Sequence, residues 1–357
     1  MRISRVIIII AAVVIIGLLA IFVYASFEAP TSSGPWASGP GYPLEASDTS
    51  GVVGQSCVNS TGTIYCIGGI DYNGASRNNV YSAAVSSTGM SSWTADSNYP
   101  QTVGLESCVS YNDYAYCVGG SYDDAGDDIA SSYFAPLTAT GPGPWDQTTA
   151  YPAPVDSQAC VSSSGYIYCL GGENETTGLN ASAVSTNSAW YAPLSSSGIG
   201  AWDHTTAYSQ SVAFEACAAT MAEIYCVGGV GTSDSGVSNV YYAPLSASGI
   251  GQWSSTTSYP MDAYGQTCVI ASGNIICVGG VPNGTTSSSD TVYSAPVSSS
   301  GVGAWYHASN YPMGVETACA ASSGNLYCVG GYQDSSQISS STYYATVQSL
   351  LPSTASG

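Results

Sequence analysis

The motif Cys-x8-Cys-Φ-Gly-Gly, with Φ an aliphatic residue, occurs six times in this 357-residue chain and constrains its fold more than any other feature. The copies are Cys57/Cys66, Cys108/Cys117, Cys160/Cys169, Cys217/Cys226, Cys268/Cys277 and Cys319/Cys328, starting 51, 52, 57, 51 and 51 residues apart. A period near fifty residues marks one supersecondary unit repeated, each copy burying its apolar face against its neighbours. Length alone allows two domains, but six copies of one unit form a single closed array more naturally.

The fifth copy shows what the unit contains. Gln266 to Ile270 alternates like a strand, Ser272-Gly273 makes a two-residue turn, and Asn274 to Val278 returns as a second strand. After Gly279-Gly280 and a polar loop, Val292 to Val297 reads as a third strand. Ala304-Trp305-Tyr306-His307 begins a fourth that ends near Tyr311-Pro312. Four short strands per repeat is the content of one propeller blade.

The turn also pairs the cysteines. A two-residue turn at Ser272-Gly273 puts Cys268 directly opposite Cys277, and turns at Thr61-Gly62, Asn112-Asp113, Ser164-Gly165, Met221-Ala222 and Ser323-Gly324 do the same elsewhere. Counted outward from the turn, the cysteines fall at a non-hydrogen-bonded pair with Cα atoms ~4.5 Å apart, within disulfide range. Zinc is the rival reading, but it needs four converging ligands, and the chain has only two histidines to add. Six hairpin disulfides are therefore expected, which implies an oxidising compartment.

The amino terminus agrees with export. Val6 to Tyr24 is apolar apart from one Gly and follows Arg2 and Arg5. Its length suits a transmembrane helix within residues 1–28, and the flanking arginines place the remainder outside. Val23-Tyr24-Ala25 also resembles a cleavage site, but the apolar run is longer than a signal peptide usually needs. Asn59, Asn174, Asn180 and Asn283 head glycosylation sequons, compatible with the same location.

Charge narrows the possible functions. Only 7% of residues are charged, and 23 acidic residues stand against three basic ones, Arg2, Arg5 and Arg77. A domain with one arginine and no lysine cannot neutralise a nucleic-acid backbone or build a cationic anion site. Such a chain approaches neutrality in acid instead of becoming strongly cationic, which suits an acidic exterior as well as an ordinary acidic secreted protein.

These features resemble the Kelch repeat family. The residues that carry the resemblance are Ile64-Tyr65-Cys66-Ile67-Gly68-Gly69, then Tyr81 and Trp93, with Tyr168, Tyr225, Tyr327, Trp145, Trp202, Trp253 and Trp305 in later copies. The resemblance spans residues 34 to about 347, although the cysteine pairs are not part of the usual Kelch pattern. It implies an all-β, six-bladed Kelch-like β-propeller following the N-terminal transmembrane helix. The sixth copy has no Trp strand after it, whereas Ser33 to Pro43 matches Gly303 to Pro312. Residues 34–43 are therefore expected to supply the outer strand of the last blade in a propeller of residues 34–347, leaving 348–357 as a tail.

Candidate sites are few. Two residues before the first cysteine stand Gln55, Glu106, Gln158, Glu215, Gln266 and Thr317, with Glu316 adjacent to the last. On an innermost strand these would ring one mouth of the channel and bind a ligand, or hydrogen-bond neighbouring blades as buried amides must. Asp123, Asp124, Asp127 and Asp128 form an acidic loop that could hold Ca²⁺ but lacks the spacing of a named calcium loop. His204 and His307 occupy repeat-equivalent positions after Trp202 and Trp305, which argues for packing. No cofactor is implied, and no nucleic acid. The expected function is an extracellular binding or cell-envelope interaction module, its partner a surface protein or glycan and its loops the variable element. The alternative is a carbohydrate-active enzyme using the mouth carboxylates.

Overall fold

A computed structural model describes residues 34–43, 51–122, 127–174, 184–233, 235–334 and 337–352, so the expected transmembrane segment lies outside the described residues. Among the described residues no helix is long and apolar enough to cross a membrane. The first blade runs outward from the channel as Ser56–Ser60, Thr63–Ile67, Val80–Ser86 and Thr94–Ala95, all antiparallel. The same order recurs in every copy, giving an all-β propeller of six blades. In the sixth blade Glu316–Ser322, Asn325–Asp334 and Gln337–Thr346 are completed by Ala37–Ser38, with Ala37 opposite Tyr344 and Ser38 opposite Tyr343. Joining the two ends of the chain removes the open edge that a linear array would present.

The second strand of each blade reads as a nearly continuous apolar run because a neighbouring blade covers each of its faces. Thr63–Ile67 is buried at every position. The hydrophobic core is accordingly divided into layers between adjacent blades. One layer joins Tyr65, Ile67 and Val80 of the first blade to Val103, Ala115 and Leu137 of the second. The hairpin turns are tight: Thr61-Gly62 has φ of 49° and 74°, and Ser272-Gly273 has 48° and 72°, the signature of turns with two left-handed residues.

Those turns bring each cysteine pair into register. Cys57 faces Cys66, Cys108 faces Cys117 and Cys160 faces Cys169 in the first three blades. Cys217 faces Cys226, Cys268 faces Cys277 and Cys319 faces Cys328 in the last three. All six disulfides form, with Cα atoms 4.0–4.1 Å apart, and no described cysteine is free.

Aromatic residues of the repeat fasten blade to blade. The Tyr65, Tyr116, Tyr168 and Tyr225 hydroxyls each donate to a carbonyl of the following blade (Thr138, Ser195, Ser246 and Ser298), and Tyr327 closes the ring onto Ser86 O. On the outer rim the indole N–H of Trp93, Trp202, Trp253, Trp305 and Trp36 donates to the preceding blade's last strand region. The Trp36 ring also meets Tyr311 edge to face at 4.9 Å.

Two expectations need correction. The outer strand is far shorter than Ala304 to Pro312 suggested, since only Tyr306–His307 pairs with the third strand. A two-residue edge leaves little backbone for another chain to pair with. The chain beyond Val347 also does not leave the propeller at once. Val347–Leu350 forms a 3-10 turn whose Val347 and Leu350 side chains are buried against Ile276, Val292 and Leu326. Ser294 Oγ donates to Leu350 O at 2.8 Å.

Two outcomes follow from this packing. Replacing Cys160 and Cys169 together by Ala should lower unfolding free energy by at most about 2.7 kcal/mol, the chain-entropy value for a ten-residue loop; non-reducing peptide maps should still show the other five bridges. Leu350→Ala should cost about 2–5 kcal/mol in denaturant titration, the range for a buried leucine. A change within error would mean that residues 347–350 are an unpacked tail after all.

Candidate functional site at the channel mouth

At one end of the channel the backbone forms a belt from blade to blade. The residue preceding each ring position adopts a left-handed conformation in Gly54 (φ 65°), Leu105 (59°), Ser157 (52°), Phe214 (55°) and Gly265 (66°). Leu105 N–H donates to Gly54 O at 2.8 Å, Ser157 N–H to Leu105 O at 3.1 Å, Phe214 N–H to Ser157 O at 3.1 Å and Gly265 N–H to Phe214 O at 3.0 Å. A bulky residue pays about 1–2 kcal/mol for this conformation, so Leu105 and Phe214 are held there by the belt. The mouth encloses a cavity of about 270 Å³ lined by all six blades.

Gln55, Glu106, Gln158, Glu215, Gln266 and Glu316 all line this cavity. Most of their side chains nevertheless turn sideways. The Nε2 groups of Gln55, Gln158 and Gln266 donate to Val329 O, Val118 O and Val227 O of the preceding blade at 2.8, 2.7 and 2.7 Å. Glu106 and Glu215 are equally buried at the equivalent positions. Thr317 donates instead to Val329 O of its own blade at 3.0 Å. Glu316 alone of the six is partly exposed; its Oε2 lies against Gly265.

Electrostatics follow from this burial. Glu106 and Glu215 have pKa values pushed well above the usual carboxylate range by desolvation, which outweighs the backbone N–H groups facing them. Desolvation raises Glu316 to about 7. The Tyr264 phenol is raised first by burial and then by nearby Glu316 and Tyr332. Half-buried Phe214 and Tyr264 meet edge to face at 6.3 Å, and Tyr264 in turn lies near the carboxyl of Glu316. Arg77, the propeller's only basic side chain, is ion-paired with buried Asp71.

The remaining candidates fall elsewhere. Asp127–Asp128 pairs with Ser121–Tyr122 in a short surface hairpin, while Asp123 and Asp124 lie outside the described residues. Among the described residues no three His, Cys, Asp or Glu side chains converge as a metal site. His204 packs edge to face on Trp190 at 4.9 Å and His307 lies 5.0 Å from Tyr293, both on exposed outer strands. Asn59 donates to Ala321 O at 2.9 Å and lines the channel's opposite opening, Asn174 is half-buried, Asn283 is exposed, and Asn180 is outside the described residues.

The two cysteines of each bridge have different surroundings. The first cysteines line the channel wall, so the disulfides gird it between its two openings. The second cysteines do not reach the site: Cys66, Cys117, Cys169, Cys226, Cys277 and Cys328 stand on the sealed second strands and are completely buried. Neighbouring blades cover that strand on both faces, which leaves these six sulfurs a structural part in the bridge and no contact with a ligand at the mouth.

Sequence reasoning passed over this channel wall, and also Leu105, Phe214 and Tyr264. A signal was present for Leu105 and Phe214: they stand one residue before the ring position, where two other copies have Gly54 and Gly265.

Neither a family model nor a curated protein sequence matches this chain. Its fold is similar to that of the solved structure of YjhT, with a TM-score of 0.67 at 12% identity, covering 85% of this chain and 95% of that one. At that identity the likeness is one of fold, and it joins the six strand-paired blades in supporting a six-bladed β-propeller.

Proposed function

We propose that this chain is an extracellular, Kelch-like binding module that receives a neutral glycan at the channel mouth and is held at a membrane by the apolar segment Val6 to Tyr24. Six disulfides support the extracellular setting. The observation that carries the binding reading is the mouth itself: a cavity touched by every blade, whose wall includes Glu316 and a Phe214 kept in a strained conformation, edge to face with Tyr264. Strained residues gather at binding sites because the scaffold over-determines them. Aromatic faces take the C–H faces of a sugar, and a carboxyl takes its hydroxyls. An anionic ligand is disfavoured, because the single arginine is already paired with Asp71. Among the described residues, exposed Asn283 is the sequon best placed for glycosylation.

The enzyme reading is weaker on this geometry. Glycoside hydrolysis uses two carboxyl groups facing across the substrate. Glu106 and Glu215 line the mouth but are buried in blade interfaces, which leaves Glu316 as the one half-exposed carboxyl there among the described residues.

Titration of neutral oligosaccharides into the protein should detect binding without turnover. Phe214→Ala and Glu316→Gln should each weaken it about tenfold or more, the scale of a lost stacking or charged hydrogen-bond contact, with circular dichroism unchanged. Binding that both variants leave intact would remove the site from the mouth. Glycan hydrolysis abolished by Glu316→Gln would favour the enzyme.

A further inference from the structure

Two of the six ring positions hold an acid where three others hold an amide and the sixth holds Thr317. At three interfaces a glutamine donates to the carbonyl of the residue just before a Gly-Gly pair: Gln55 to Val329 O, Gln158 to Val118 O and Gln266 to Val227 O. Oε1 of Glu106 stands against Gly68 as Nε2 of Gln158 stands against Gly119. Oε1 of Glu215 likewise stands against Gly171 as Nε2 of Gln266 stands against Gly228. The carbonyls that these equivalences assign to the two acids are those of Ile67 and Leu170.

A carbonyl oxygen only accepts, and so does an ionised carboxylate. Facing each other in a buried interface, two acceptors have no hydrogen to share between them, at a cost that burial increases. A neutral carboxylic acid restores the pattern of the amide, with one oxygen accepting and one hydroxyl donating. Backbone N–H groups of Glu106 and Ser56 lie near the Glu106 carboxyl, and those of Glu215 and Ala159 near Glu215, but no carboxyl oxygen of either acid makes a hydrogen bond of normal geometry. The titratable groups facing Glu106 are the phenols of Tyr42 and Tyr99. Those facing Glu215 are the phenols of Tyr151 and Tyr208. All four phenols are themselves raised by burial, so they stay neutral alongside the acids.

We propose that Glu106 and Glu215 are held as neutral carboxylic acids that donate to Ile67 O and Leu170 O, so that the interfaces between blades one and two and between blades three and four tighten in acid.

Both folded-state pKa values lie well above that of an unfolded glutamate, near ~4.3. Below that pH both states keep the proton and the contribution to stability is complete. As pH rises from there toward the folded-state value, the unfolded chain releases its proton while the folded chain retains it, and stability falls. The unfolding constant then rises by up to about tenfold per pH unit for each carboxyl.

The test is denaturant unfolding of the full, disulfide-intact chain from about pH 3 to about pH 8, the range that brackets the unfolded glutamate. Wild type should lose stability as pH rises above about 4. The double variant Glu106→Gln, Glu215→Gln should match it in acid, exceed it at neutral pH and show a flatter profile. Gln158→Glu should steepen the profile by adding a third acid. Infrared spectra near neutral pH should be read in the Glu316→Gln background, because Glu316 is itself raised to about 7. The folded single variant should contain a protonated-carboxyl stretch that falls when Glu106 and Glu215 are also replaced by Gln, and its band is readable even if the further variant does not fold. Parallel profiles for wild type and double variant, or no such band in Glu316→Gln, would overturn the proposal.

Discussion

Five of the six blades are held at their distance from the next by a backbone hydrogen bond that a side chain at the same place would prevent. Gly69 N–H reaches Val103 O at 2.9 Å, and Gly120, Gly172, Gly229 and Gly280 make the same bond to Val155, Val212, Ala263 and Val315 at 2.8–2.9 Å. A Cβ on the preceding Gly68 would collide with Val103 O and the Glu106 carboxyl, and its φ of 60° already favours glycine. The close approach then sets the reach of everything else. The second strands are sealed between neighbours, the tyrosine hydroxyls meet the next blade's carbonyls, and the ring-position amides meet the preceding blade's.

The disulfides act at right angles to that contact. Each joins two strands of one hairpin, so it stiffens a blade without tying one blade to another. Cohesion between blades therefore rests on burial and hydrogen bonds. Ion pairing adds little in a propeller with one basic side chain.

Much of this was legible in the chain because a repeat multiplies every local signal. The turn dipeptides fixed the hairpin register and hence the six pairings, and the match of Trp36 to Trp305 pointed to the strand that pairs with Tyr343 and Tyr344. What the chain did not disclose depends on contacts between repeats. A polar residue on an inner strand can face the channel or the adjoining blade, and only the placement of Gly119 beside Gln158 decides that its amide faces sideways. The same holds within a bridge, where Cys108 reaches the channel wall while Cys117 is shut between blades. The left-handed backbone at Leu105 and Phe214 is signalled only by Gly54 and Gly265 at the same position of other copies, because it arises from a belt of bonds among five blades. The burial of Leu350 depends on a pocket built by the fifth and sixth blades.

That pocket shows how a ring tolerates an imperfect copy. Between blades five and six the repeat loses two of its fasteners at once: Ile276 stands where four earlier copies and the sixth have tyrosine, and Thr317 stands where an amide or acid reaches the preceding blade elsewhere. The compensation is apolar. Ile276 packs with Val347, Leu350 and Trp36, and the Leu350 carbonyl accepts from Ser294. Segments from before the first repeat and after the last thus converge on the interface whose internal fasteners are weakest. Glu316 belongs to the same departure. A bulge between Glu316 and Ala318 shifts the register there, and Glu316 occupies the place that is left-handed in the other five blades. Its carboxyl is therefore freed from the blade-to-blade role that Glu106 and Glu215 fill, and it becomes the one acid of the ring that faces the open mouth.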